Sequence, residues 1–159
     1  MSTRSVIGIC HGDVVKSVYC NCDGYLSGVG KLLQEHYDSP KANQLVALGN
    51  ISILGKNLGE KHAFDTYHLT PEEREQHRLD HGNSCTFYGR DREEKDNSWE
   101  VAFNFTEFLE QVDECGAEYY YIMNNGTWYV GSPEKGSTLI ALTDALQLGD
   151  IVSQSVSVV

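Results

Sequence analysis

Long apolar runs are missing from this chain. No stretch approaches the length of a membrane span, about 20 consecutive apolar residues, so no membrane partner is expected. Basic residues are scarce as well: 12 Lys and Arg stand against 23 Asp and Glu, giving a net charge of −11. Sequence-independent binding to DNA or RNA depends on Lys and Arg neutralising phosphates, so direct nucleic-acid binding is not expected. The same balance favours solubility and basic partners, and it suits a protein that imitates nucleic acid. The five cysteines (Cys10, Cys20, Cys22, Cys85, Cys115) are odd in number and unrelated in spacing, so they suggest no disulfide framework. The stretch MSTRSVIGIC lacks the extended apolar segment and small-residue cleavage site of a secretory leader. A cytosolic protein with reduced thiols is the expectation. Internal repeats, linkers and low-complexity segments are absent too, so residues 1–159 read as one domain.

What is there is an ordinary globular composition, 40% hydrophobic and 22% charged, which argues against global disorder. Ser5 to Cys10 and Val14 to Cys22 are β-type runs on either side of His11-Gly12-Asp13, a hairpin signal. A second hairpin is signalled by Glu118 to Met123 and Thr127 to Val130 around Asn124-Asn125-Gly126. Helices are predicted from Lys31 to Tyr37, from a Ser39 cap with Pro40 to Gly49, and from Thr70-Pro71-Glu72-Glu73 to His81-Gly82. The last carries the spacing of a capping box. Between Asn50 and Tyr67 the chain reads mostly as loop. Ser84 to Tyr88 and Trp99 to Phe103 read as strands. Asn104 with Glu107 opens the best amphipathic helix, with Phe105, Phe108, Leu109 and Val112 on one face and Gly116 as its stop. Leu139 to Leu142 reads as a strand, with Thr143-Asp144 capping a short helix before Gly149. Residues 150–159 read as an edge strand or a frayed tail. The fold class that follows is α+β: a mainly antiparallel sheet with N-terminal and C-terminal hairpins, packed by three to four helices.

Five constellations bear on chemistry. Strand, glycine turn and helix start meet at Tyr19 to Tyr37, an arrangement that presents backbone N–H groups to an anion. A P-loop fails there, because Leu32 follows Gly30-Lys31 and Tyr25 holds the first glycine position. A dinucleotide fingerprint fails as well. Asp23, Gly28, Gly30 and Lys31 remain as an anion site, or as residues that only let the chain turn. Arg90 and Arg92 can clamp an anionic ligand, or form local ion pairs in a solvated loop. His77 and His81 share a helix face at i and i+4, with Cys85 as a third zinc ligand and His68 or Cys20/Cys22 as fourth partners. Arg78 stands where an HExxH motif requires Glu, and a solvated helix with incidental histidines is the plainer reading. No metal or other cofactor is expected. Adjacent Cys10 and His11 point to opposite faces of a strand and make no catalytic pair. Finally, Glu107, Glu110, Asp113 and Glu114 lie in a stretch with no Lys or Arg between Glu100 and Glu134. They form a solvent face or a row of negative charge for a basic partner.

The start Ser2-Thr-Arg-Ser-Val-Ile, Tyr19-Cys20 before Asp23-Gly24-Tyr25-Leu26, and Gly30 with Leu33 and His36-Tyr37 together carry a resemblance. So do the run from Leu48 to Gly55, Cys85-Thr-Phe-Tyr-Gly-Arg-Asp-Arg92, and Tyr119 to Val130. The chain resembles a family of small uncharacterised proteins of bacteriophages and prophages, over most of its length to about Val130. Where that pattern has His-Trp between the Cys and the Asp, this chain has Asn21-Cys22, so no role of a His or Trp transfers. The resemblance implies a phage accessory protein in the bacterial cytoplasm, a setting in which proteins often inhibit host factors or block defence systems. The functional expectation is therefore a non-enzymatic inhibitor of a host or defence protein, touching it through Glu107, Glu110, Asp113 and Glu114. A binder of a nucleotide-like signal is the alternative, and a metal-dependent hydrolase using His77, His81 and Cys85 the third. Nothing in the sequence excludes a homo-oligomer.

Overall fold

Two tight turns set the frame of the molecule, seen in a computed structural model that describes residues 2–151. At Gly12-Asp13 the chain folds β1 (Ser5–His11) against β2 (Val14–Cys20), with His11 opposite Val14. At Asn125-Gly126 it folds β6 (Tyr119–Asn124) against β7 (Thr127–Gly131). Here φ is 50° at Asn125 and 79° at Gly126. These are the paired left-handed positions of a type I′ turn, which Asn-Gly occupies at low steric cost. The hairpins join because β1 runs parallel beside β6, Ser5 to Ile9 facing Tyr119 to Met123.

Short strands extend this centre. Beyond β2 lie β3 (Ile51–Ile53) and then β4 (Thr86–Phe87), and beyond β7 lies β8 (Ile140–Ala141). β5 (Glu100–Ala102) pairs with the first half of β2. The sheet order is β4-β3-β2-β1-β6-β7-β8, mostly antiparallel, with parallel pairing at β1·β6 and β2·β3. A single turn of π-helix (Leu26–Gly30) leads into α1 (Lys31–His36), followed by α2 (Ser39–Ala47), α3 (Pro71–His81), α4 (Phe105–Glu114) and α5 (Leu142–Leu148). The α+β class and both hairpins are as the sequence predicts, with five α-helices rather than three to four.

Period-two alternation builds a core on each face of the sheet. Ile7, Ile9, Val18, Cys20, Tyr121 and Met123 point to one face, where Leu33 of α1, Leu45 and Val46 of α2 and Leu142 of α5 cover them. Val6, Val15, Tyr120 and Ile122 point to the other, and Phe108 and Val112 of α4 close over them. α4 crosses this second face because β5 and β6 run in the same direction, and parallel strands need a crossover rather than a hairpin. Phe108 is fully buried and meets Tyr120 edge-on, ring centroids 5.8 Å apart.

Several boundaries differ from the sequence reading, each for a local reason. Asp38, not Ser39, caps α2: its Oδ1 accepts from the Lys41 N–H at 3.0 Å, and Pro40 falls within the first turn. α5 begins at Leu142 directly off β8 with no side-chain cap, so Thr143 and Asp144 lie inside it. Residues 51–53 of the expected loop form β3, which touches β2 through one register pair, Cys20 and Ile51. The strand expected over 84–88 shortens to Thr86–Phe87. The capping box forms as the spacing predicts: Thr70 accepts from the Glu73 N–H and Glu73 from the Thr70 N–H. The expected tail from residue 152 onward lies outside the described residues.

Because Phe108 fills the space between α4 and the sheet, Phe108→Ala is expected to cost about 3–5 kcal/mol of stability. Urea unfolding measures it. A loss below about 1 kcal/mol would mean that α4 is not part of the cooperative core.

Candidate functional site

At the glycine turn, Asp23 adopts a left-handed φ of 56° and the chain winds at once into the π-turn. The Gly28 N–H donates to the Tyr25 carbonyl at 3.0 Å, that of Val29 to Asp23 at 2.8 Å, and that of Gly30 to Tyr25 at 3.4 Å. The Lys31 N–H likewise faces carbonyls within the turn. These donors are engaged inside the turn rather than aimed outward. A Cβ at Gly28 would collide with the Asp23 carbonyl, and one at Gly30 would press on the Tyr121 ring at 3.2 Å. Close packing is what the glycines supply here. Tyr121 reinforces it, donating its hydroxyl to the Gly24 carbonyl at 2.6 Å across 97 residues of sequence.

Arg90 and Arg92 part company. Arg90 donates to Asp91 at 2.9 Å, to the Gly59 carbonyl at 3.0 Å and to the Cys85 carbonyl at 3.0 Å, and its guanidinium stacks on Phe87. Asp91 is buried and also accepts from the N–H groups of Phe87 and His62. Burial alone would raise the Asp91 carboxyl. The Arg90 hydrogen bond, the two N–H groups and the Arg90 charge outweigh it and hold the group below the ordinary carboxylate range. Arg90 and Asp91 therefore pin the 59–62 loop to β4. Arg92 lies between the rings of Phe64 and Tyr88 and pairs with Glu94 at 2.7 Å.

The structure separates Cys85 from the two helical histidines. Cys85 is fully buried beside the Tyr37 hydroxyl at 3.1 Å and the Gly55 N–H at 3.3 Å, and burial pushes its thiol up. Burial likewise pushes the Cys20 thiol up to about 12, so both behave as core residues rather than nucleophiles. His77 and His81 instead meet His62. The His62 ring stacks on His81 with centroids 4.7 Å apart, and His77 approaches them at 5.8 and 4.9 Å. His62 itself lies in the loop read from sequence as featureless, and no spacing signal marks it. Among the described residues, no three His, Cys, Asp or Glu side chains are arranged to hold a metal ion.

The acidic helix is built as its spacing predicts, with one addition. Asn104 caps α4, its Oδ1 accepting from the Glu107 N–H at 2.8 Å. Glu107 then reaches back and accepts from the Phe103 N–H at 2.6 Å, while Gln111 donates to the Val101 carbonyl at 3.1 Å. Glu107, Glu110, Asp113 and Glu114 are all exposed, and none has an ion-pair partner among the described residues. The same edge carries an apolar row that the amphipathic pattern does not flag. Trp99, Val101 and Phe103 alternate with buried Ala102 and are 37%, 39% and 69% exposed. Lys16 of β2 lies over the Trp99 ring at 4.5 Å.

No helix among the described residues is long and apolar enough to cross a membrane. No protein-family model, no curated protein and no solved structure matches the chain. Function is therefore read from the geometry of these sites.

The Asp91 network yields a signed pH effect. Its folded pKa is depressed, so its stabilisation is present above the unfolded carboxylate value and is lost as pH falls through the folded one. Asp91→Asn is expected to cost about 3 kcal/mol near neutral pH, since it breaks a buried pair. The gap between wild type and variant should narrow at about pH 3. Urea unfolding at both pH values tests this, and a gap independent of pH would sink it.

Proposed function

We propose that this chain is a phage-type accessory protein that acts without catalysis, binding and inhibiting a host or defence protein in the bacterial cytoplasm. Its working surface is the outer face of α4. One observation carries the reading: Glu107, Glu110, Asp113 and Glu114 stand exposed and without ion-pair partners among the described residues, in a stretch from Glu100 to Glu134 that has no Lys or Arg. Surface carboxylates with no ion-pair partner repel one another, a cost that a basic partner removes. The exposed row Trp99, Val101 and Phe103 on the adjoining strand adds aromatic and apolar area of the kind that anchors interfaces. Charge would steer the encounter, and the apolar row would slow dissociation.

The test is capture of a partner from bacterial lysate by wild type and by the double variant Glu110→Lys/Glu114→Lys. Glu107 is spared because it also bonds the Phe103 N–H. The captured protein should be basic at its contact surface, and the double variant should bind it at least about tenfold more weakly, with the difference shrinking as salt is raised. Equal capture by a folded double variant would rule out α4 as the contact.

A further inference from the structure

The loop from residue 62 to 70 and α3 fold over the β3–β4 end of the sheet and line an open cavity of about 360 Å³. Three histidines (His62, His77, His81) and two arginines (Arg74, Arg78) line it, together with Ser84 and Thr86. No lining residue is acidic, although the chain as a whole has a net charge of −11. The nearby carboxylates are committed elsewhere. Asp91, 3.6 Å from His62 Nδ1, is held by Arg90, and Glu75 is bonded twice by Arg78. Arg74 is different. It donates to the carbonyls of Thr66 and Tyr67 at 3.1 and 3.2 Å and has no carboxylate partner among the described residues.

α3 buries none of its residues, so apolar packing does not explain why it lies here. It is held by polar contacts, those of Arg74 and a His77 Nε2 contact to the Ala63 carbonyl at 2.7 Å. Three imidazoles clustered with centroids within 5.8 Å gain little from one another and repel when charged. No hydrogen bond among the described residues reaches either ring nitrogen of His81. A cation is a poor answer to this arrangement. The His62 and His81 rings lie 13° from parallel, and the His62 nitrogens already face the Glu60 carbonyl and the Thr86 hydroxyl. An anion rich in acceptor oxygens answers it better, because it would accept from Arg74, His77, His81 and the hydroxyls while offsetting their charge.

We propose that this cavity binds the phosphate group of a small phosphorylated molecule, with the organic part resting on Phe64 and Ile53. Both residues line the cavity and are about half exposed, at 50% and 48%. The volume falls within the range of small-molecule sites. The site includes no residue of α4, so it goes beyond the partner-binding reading and stands or falls separately from it.

Histidine ring resonances followed by NMR test the site, with sodium phosphate titrated at about pH 6, where imidazoles in general take up charge, and ionic strength held with sodium chloride. Saturable shifts are expected at His77 and His81 and none at His11 and His36. Phenyl phosphate should bind more tightly than inorganic phosphate. Arg74→Gln should weaken binding at least about tenfold. Since Arg74 also holds its loop, His81→Gln, which removes no hydrogen bond, provides a second variant with the same expected loss. Shifts that fail to saturate would overturn the proposal, as would equal binding by both variants or a response to zinc chloride without one to phosphate.

Discussion

The parallel seam between β1 and β6 is the constraint on which the rest of the molecule depends. It joins segments far apart in the chain, Ser5 to Ile9 against Tyr119 to Met123, and so closes a loop of more than one hundred residues. Each hairpin alone would be marginal in water, as two-stranded ribbons generally are. Joined, they make a four-stranded centre whose alternating side chains give two apolar faces, and every helix but α3 answers one of them. The Tyr121 hydroxyl on the Gly24 carbonyl and the Trp128 indole on the Tyr37 carbonyl tie the seam to the helices beside it.

Signals that act over a few residues were legible in the sequence. Asn125-Gly126, the Thr70–Glu73 capping box, and the i, i+3, i+4, i+7 pattern from Phe105 to Val112 each specify their own geometry, and each formed. What failed depended on distant partners. β3 is three residues long and exists because β2 and β4 flank it; nothing in Ile51-Ser52-Ile53 fixes that pairing. The caps expected at Ser39 and Thr143 lost to Asp38 and to a direct exit from β8, choices set by how the chain enters each helix.

The sites divide in the same way. The acidic face of α4 was readable because one helix carries all of it. The histidine cluster was half readable: His77 and His81 share a helix, whereas His62 arrives from a loop through Asp91 and Thr86, contacts 29 and 24 residues away in sequence. Arg90 and Arg92 suggested an anion clamp because guanidinium groups in a loop usually face water. Burial of Asp91 and the aromatic rings of Phe64, Phe87 and Tyr88 turned them inward instead. At the glycine turn, spacing alone could not say that the π-turn would take up its own N–H groups.

The bonds from Glu107 to the Phe103 N–H and from Gln111 to the Val101 carbonyl have a consequence for recognition. An edge strand with free N–H and C=O groups invites any extended chain to add itself as a further strand, whatever its sequence. Here side chains of α4 occupy two such groups, the Val101 carbonyl and the N–H of Phe103 just past β5, so this edge is a poorer backbone template. A molecule docking at this edge meets fewer free peptide groups and more carboxylates and rings, so a change of one side chain can change its specificity without disturbing the sheet.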